Sequence, residues 1–256
     1  MILKEYIKAK LSAEQRIKLR YKSRSFKAFF YSWNLTKLAD IHKTDKSRHH
    51  FYTKHYQFHF SPYRLKKINL LEIGVGGYEN PLLGGESLRM WKSFFPFANI
   101  FSIDIFDKTF HEENRIKIFK GSQVDLDLLQ KIDRETGGFD LIIDDGSHLN
   151  DHVITTFEFL FPKLKKGGIY VVEDTQTSYW EEYGGSSKDL KKEGTIYHFF
   201  KSIIDSLNNE EFVLENYEKT YYDRHIIAMH FYHNLIFIYK GDNNEKSNKV
   251  RNNKFR

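Results

Sequence analysis

Leu70-Leu71-Glu72-Ile73-Gly74-Val75-Gly76-Gly77-Tyr78 decides the fold. An apolar run enters a turn with glycine at positions 74, 76 and 77. This reads as a strand that ends in a turn where backbone without Cβ atoms can approach a ligand closely. Downstream, short apolar runs (69–74, 99–105, 115–119, 139–143, 168–173) alternate with stretches of helical length (86–95, 124–134, 151–164). Continuous apolar strands alternating with helices predict an α/β, doubly wound, parallel sheet covered on both faces. After a polar stretch near 181–194, a helix is expected over 195–208. Two β-rich runs follow, 225–232 and 235–240, joined by only His233-Asn234. So short a link makes a hairpin, so the mostly parallel, seven-stranded sheet should end antiparallel.

The chain has 256 residues, 40% hydrophobic and 29% charged, as soluble globular proteins do. We expect a helical extension and lid over 1–60, including amphipathic helix within 1–35, then the core domain over 61–241 and a disordered basic tail over 242–256. No apolar run reaches the roughly 20 residues that span a bilayer, so no transmembrane segment is expected. The start, MILKEYIKAKLSAEQRIKLRYK, is charged throughout and does not read as a secretory leader. Cysteine is absent, which excludes disulfides, thiolate metal sites and cysteine nucleophiles and fits a reducing, cytoplasmic location. Residues 1–31 hold nine Lys/Arg against two Glu, and 240–256 hold six against two acids, so the net +6 hides an acidic middle. That distribution does not favour a nucleic-acid groove, although a membrane-surface or polyanion contact by the basic ends stays open.

Three stretches carry chemistry. The glycine turn lacks the nicotinamide fingerprint, because the sixth position of G-x-G-x-x-G is Glu79. A Glu two residues before the first Gly is instead typical of the S-adenosylmethionine fold, whose ligand has no pyrophosphate to cradle. The second strand ends in Asp104, an acid placed to accept bonds from both hydroxyls of an adenosine ribose. Ser122 and Gln123 follow the third strand, where an adenine edge would lie. Asp144-Asp145-Gly146-Ser147-His148 follows the fourth strand and Glu173-Asp174 the fifth. Neighbouring strands lie about 4.8 Å apart, so Asp145, Glu173 and Asp174 can converge. Clustered carboxylates repel unless protonated or bound to a cation. An all-oxygen set suits a hard ion, Mg²⁺ first and Mn²⁺ or Ca²⁺ next. Histidine's ordinary pKa suits His148 to remove a proton from a hydroxyl. Five histidines between 42 and 59 match no strong ligand spacing and are read as surface or lid residues. Tyr179 and Trp180, just past the acids, are candidates for a wall that stacks on a sugar face.

LLEIGVGGYENPLLGGESLRMWKSFFP (70–96), FSIDIFD (101–107), DLIIDDGSHLNDHVITTFEFLFPKLKKGGIYVVEDTQTSYW (140–180) and ADIHKTDKSRHHFYTKHY (39–56) resemble the class I, Rossmann-like S-adenosylmethionine-dependent O-methyltransferases of macrolide deoxysugars, the mycinamicin and demethylmacrocin type. The resemblance covers about residues 38–180. It implies metal ligation by Asp145, Glu173 and Asp174 and a general base at His148. It also implies cofactor contacts around Thr44, Glu72, Gly74, Ser87, Asp104, Ser122, Gln123 and Asp144. The acceptor would be a nucleotide sugar, a surface glycan or a glycosylated metabolite, with homo-oligomerisation open. Two departures stand out. The antibiotic-tailoring members carry a large additional N-terminal domain, whereas about 60 residues precede the first core strand here. The Lys/Asn/Ile/Phe-rich composition is unlike that of an actinomycete antibiotic producer, and the resemblance of related methyltransferases to enzymes that decorate bacterial surface glycans turns the expectation toward polysaccharide biosynthesis. Three other readings remain: an NAD-dependent nucleotide-sugar dehydrogenase or epimerase, an RNA methyltransferase, and a catalytically silent scaffold.

Overall fold

Residues 11–251 and 253–255 are described by the structure, a computed structural model. The strands are β1 (Asn69–Ile73), β2 (Asn99–Asp104), β3 (Ile116–Lys120), β4 (Leu141–Asp144), β5 (Ile169–Glu173), β6 (Ile226–Tyr232) and β7 (Leu235–Lys240). They form a seven-stranded sheet in the order β3-β2-β1-β4-β5-β7-β6. β4 runs parallel to β1 and β5, while β7 is antiparallel to β5 and β6. The expected mixed sheet with a closing antiparallel hairpin is what forms. Burial explains the pattern: every residue of β4 and β5 is buried, whereas the edge strand β3 alternates buried and exposed at its start. A strand covered on both faces must be apolar throughout, while an edge strand need not be.

Two compact units divide the chain. One takes residues up to Ile68 with Val75–Lys120, the other Asn69–Gly74 with Gly121–Arg256. The first contains α1 (Ala13–Phe29), α2 (Leu35–His42), α3 (Thr53–Phe60) and α4 (Glu86–Phe94) with β2 and β3. Ser12 starts α1 with a capping box to Gln15, and Asn34 caps α2. Apart from Leu11, the apolar positions on which the first amphipathic helix was expected (Ile2, Leu3, Tyr6, Ile7) lie outside the described residues. The aromatic wealth is partly core here: Trp91 is buried with its ring 4.9 Å from Tyr56 and 5.7 Å from Phe60. His42 and His59 are buried too, which corrects their reading as surface residues. Helical periodicity turns both toward the core.

The second unit contains β1, β4–β7, α5 (Leu126–Thr136), α6 (Asn150–Leu160), α7 (Ile196–Ser202) and α8 (Tyr221–His225). Asp125 accepts from Leu128 N, so α5 starts after the predicted Val124. Phe157 stacks on Phe161 at 4.9 Å and meets Tyr170 and Phe200 edge-on. The tail expected to be disordered carries a two-residue ladder, β8 (Val250–Arg251) with β9 (Lys254–Phe255). Ser247 turns the chain into it by accepting from Lys249 N and Val250 N, and Val250 is buried.

Candidate active site

Parallel strands deliver their carboxyl ends to one edge of a sheet, and three of those ends are acidic here. Glu72 is the penultimate residue of β1. Asp144 closes β4, with Asp145 next, and Glu173 closes β5, with Asp174 next. Carboxylate oxygens of Glu72, Asp145 and Glu173 lie within 4.8 Å of one another. Ligand atoms of Asp145, His148 and Asp174 lie equally close. Asp145 is common to both groups, while Glu173 meets it in one and Asp174 in the other. Glu72, read as a cofactor contact, joins the acids. The register decides this: β1 pairs with β4 with Glu72 opposite Ile143, which sets its side chain beside the residues leaving β4.

His148 Nε2 faces this cluster, 3.9 Å from Asp145 Oδ1 and 3.8 Å from Asp174 Oδ2. Its Nδ1 is buried without a hydrogen-bond partner among the described residues. His148 and Asp174 both adopt left-handed backbone, φ 58° and 54°. A non-glycine residue there costs of order 1–3 kcal/mol and persists only where its surroundings impose it. The imposing bonds are visible. Gln123 Oε1 accepts from Ser147 N at 2.8 Å, and Asp145 N donates to Ile73 O at 3.1 Å. Asn150 at the start of α6 donates to Thr177 O and Tyr183 O and accepts from Ile196 N. That one buried side chain ties the segment after Asp174 to α6 and α7.

Gln123 and Asp144 are turned to each other. Asp144 is buried and accepts from Gln123 Nε2 and Tyr170 Oη, each at 3.2 Å. Burial pushes its carboxyl up to about 7. Gln123 Nε2 also reaches Thr156 Oγ1 at 3.1 Å. The two residues brace the turn that carries Asp145 and His148. Ser122 accepts from Val124 N nearby.

Gly74 needs its glycine. Its φ is 95°, and a Cβ there would stand 2.2 Å from the carbonyl oxygen of Asp145. Gly74→Ala is expected to lose about 1–2 kcal/mol from the left-handed backbone alone. It should also displace Asp145, so methyl transfer should fall further than the melting temperature implies. Parallel melts and turnover assays check this.

In the other unit, Asp104 closes β2 and holds the glycine turn. Its Oδ2 accepts from Val75 N and its Oδ1 from Phe106 N, both at 2.9 Å. Each oxygen keeps a second lone pair for a ligand hydroxyl. Val75 O accepts from Gly85 N at 2.8 Å, so residues 75–85 close on themselves before α4 begins. Ser87 sits half-buried in the first turn of α4, which has no side-chain cap. Thr44 is half-buried and bonds Asp45 Oδ1 at 3.3 Å. Sequence reasoning missed the braces of this turn. Lys108 is buried and donates to Asn80 O and Leu83 O, and His111 Nε2 contacts Leu83 O at 3.1 Å. Buried Arg89 donates to Gly85 O and His111 O and lies 3.7 Å from the Tyr21 ring centroid. A cation on a helix (Arg89) or in a loop (Lys108) looks exposed in sequence, and only the fold shows these two inside.

No protein-family model matches the chain. It is 47% identical over 197 residues to mycinamicin VI 2''-O-methyltransferase of Micromonospora griseorubida, covering 77% of this chain and 49% of that one. It is 41% identical over 210 residues to 8-demethyl-8-alpha-L-rhamnosyl tetracenomycin-C 2'-O-methyltransferase of Streptomyces olivaceus, covering 82% and 55%. The chain thus spans about half the length of the curated relatives it matches. Among solved structures, the MycE methyltransferase of the mycinamycin biosynthetic pathway, in complex with Mg and SAH, superimposes with a TM-score of 0.80 at 45% identity. That match covers 83% of this chain and 56% of that one. The chain has the class I methyltransferase fold and is a homologue of these sugar O-methyltransferases.

Proposed function

We propose that the protein transfers a methyl group from S-adenosylmethionine to a sugar hydroxyl. The observation that carries this reading is the meeting of His148 Nε2 with Asp145 and Asp174, beside Glu173 and Glu72. Asp145, Glu173 and Asp174 would hold Mg²⁺ (or Mn²⁺). The all-oxygen donor set and the mutual repulsion of clustered carboxylates, of which Glu173 is buried, fit a hard divalent cation. When bound, such an ion orients substrate oxygens and lowers the pKa of a hydroxyl. Thr44, Glu72, Gly74, Ser87, Asp104, Ser122, Gln123 and Asp144 form the proposed cofactor set. Within it, Asp104 offers lone pairs to ribose hydroxyls, while Gln123 and Asp144 act from behind the turn.

His148 Nε2 takes the proton from the attacking hydroxyl, and the carboxylates of Asp145 and Asp174 stabilise the resulting imidazolium. The left-handed backbone at both His148 and Asp174 fixes their approach in advance, so little reorganisation remains at the moment of transfer. Trp180 is exposed and Tyr183 lies 5.8 Å from it, six and nine residues past Asp174. That pair offers a sugar ring an aromatic face. No helix among the described residues is long and apolar enough to cross a membrane. We propose a cytoplasmic enzyme acting on a nucleotide sugar, a surface glycan of polysaccharide biosynthesis or a glycosylated metabolite, the last being what the relatives' names describe.

A radiolabelled-methyl assay across sugar nucleotides tests the proposal. Label should enter the sugar with Mg²⁺ and not with EDTA, while S-adenosylhomocysteine binding is largely kept. Full turnover in EDTA removes the metal. Binding of NAD in place of S-adenosylhomocysteine turns the reading to a dehydrogenase or epimerase, and label entering RNA turns it to an RNA methyltransferase.

A further inference from the structure

α1 is buried along one stripe, with Tyr21 and Ala28 buried and Ile17 and Arg24 half-buried at helical spacing. The opposite face of the same helix is apolar as well. Leu19 and Phe26 on that face are 55% and 71% exposed, and Phe29 and Phe30 at its end are 74% and 55% exposed. The rings of Phe26 and Phe29 each stand 5.6 Å from that of Phe30, edge-on, so the three make one cluster. Trp33, 62% exposed, extends it past the helix end. Contiguous exposed apolar surface of this kind marks an interaction site.

The charge around the cluster selects the occupant. Arg16, Lys18, Arg20, Lys22 and Lys27 are exposed on α1, whose one acid is Glu14. A second copy docking by the same face would bring two such cationic rows together and is disfavoured by their repulsion. A duplex or other polyanion without unstacked bases would match the cations and leave the phenylalanines in water. Aromatic side chains ringed by lysine and arginine match the boundary of an anionic bilayer, where rings sit at headgroup level and cations meet lipid phosphates.

We propose that this face of α1 docks the protein on an anionic lipid surface, with Phe26, Phe29, Phe30 and Trp33 at the headgroup–acyl boundary. The inference rests on the first unit alone and is independent of the proposed methyl transfer. The test is co-sedimentation of the full chain with phosphatidylglycerol–phosphatidylcholine vesicles at about 0.1 M salt. Binding should be on the order of tenfold or more stronger than to phosphatidylcholine alone, and it should fall as salt rises to about 0.5 M. Phe26→Gln with Phe30→Gln should weaken binding on the order of tenfold at an unchanged melting temperature. Lys22→Glu with Lys27→Glu should abolish the preference for anionic lipid. Three results would each overturn the proposal: no sedimentation with anionic vesicles, sedimentation unaffected by the paired Phe substitutions, or a dimer in solution that those substitutions dissolve.

Discussion

His148→Ala is expected to slow methyl transfer on the order of 10²–10⁴-fold, or about 3–5 kcal/mol of activation free energy. The expectation follows from Nε2 being the ring nitrogen that faces the acids, 3.8–3.9 Å from Asp145 and Asp174. Removing the ring leaves the attacking hydroxyl with no nitrogen base at this position. One complication is built into the backbone. At φ 58° alanine is itself disfavoured, so part of any loss could come from a shifted turn. His148→Asn separates the two effects, because asparagine tolerates left-handed backbone far better. Both variants should lose rate alike, with cofactor binding and melting temperature near those of the parent. If the asparagine variant kept most of the parent rate, the base would lie elsewhere.

Acidification from pH 8 to 5 is expected to destabilise the first unit by about 4 kcal/mol, about 2 from each of two buried histidines. Burial, and next the Arg89 guanidinium, lowers His42 to about 3 and His111 to about 4. Ser93 Oγ donates to Arg89 O, so it accepts from His42 Nε2–H at 2.9 Å, and His111 Nε2–H donates to Leu83 O. Each ring is thus neutral with Nδ1 unprotonated, and both Nδ1 atoms are buried without a hydrogen-bond partner among the described residues. Between about pH 4 and 6.5 the unfolded chain binds protons that the folded chain refuses. Stability is therefore full above the ordinary histidine pKa and is lost as pH falls below it. Against a typical total of about 5–15 kcal/mol the loss is large. Urea melts at pH 8 and 5 measure it. His42→Gln with His111→Gln keeps a donor at each site and should flatten the dependence. An unchanged slope in that variant would assign the acid sensitivity to other groups. Leu83 O also anchors Lys108, so local opening here should loosen the glycine turn before the rest of the unit.

The strands themselves, the acidic strand ends and the antiparallel close were legible in the sequence because each rests on local chemistry. A strand buried on both faces must be apolar along its length, and an acid that interrupts such a run at its end has a reason to be there. Side-chain direction was not legible. Asp144 and Asp145 are consecutive, yet one is sealed against Gln123 and Tyr170 while the other faces His148. Glu72 meets Asp145 and Glu173 only because β1 and β4 pair in one particular register. α1 shows the same division in its aromatics: Tyr21 and Phe26 read alike in sequence, but one packs in the unit and the other faces solvent.

The sequence by itself thus determined an α/β sheet with carboxylates and a histidine at its carboxyl edge, since periodicity and residue type are properties of the chain. Only the tertiary structure decided which carboxylate faces the histidine, which are braced from within, and which face of the first helix is left uncovered among the described residues. Those outcomes depend on contacts between residues far apart in sequence, and no local pattern encodes the direction in which a side chain must turn to make them.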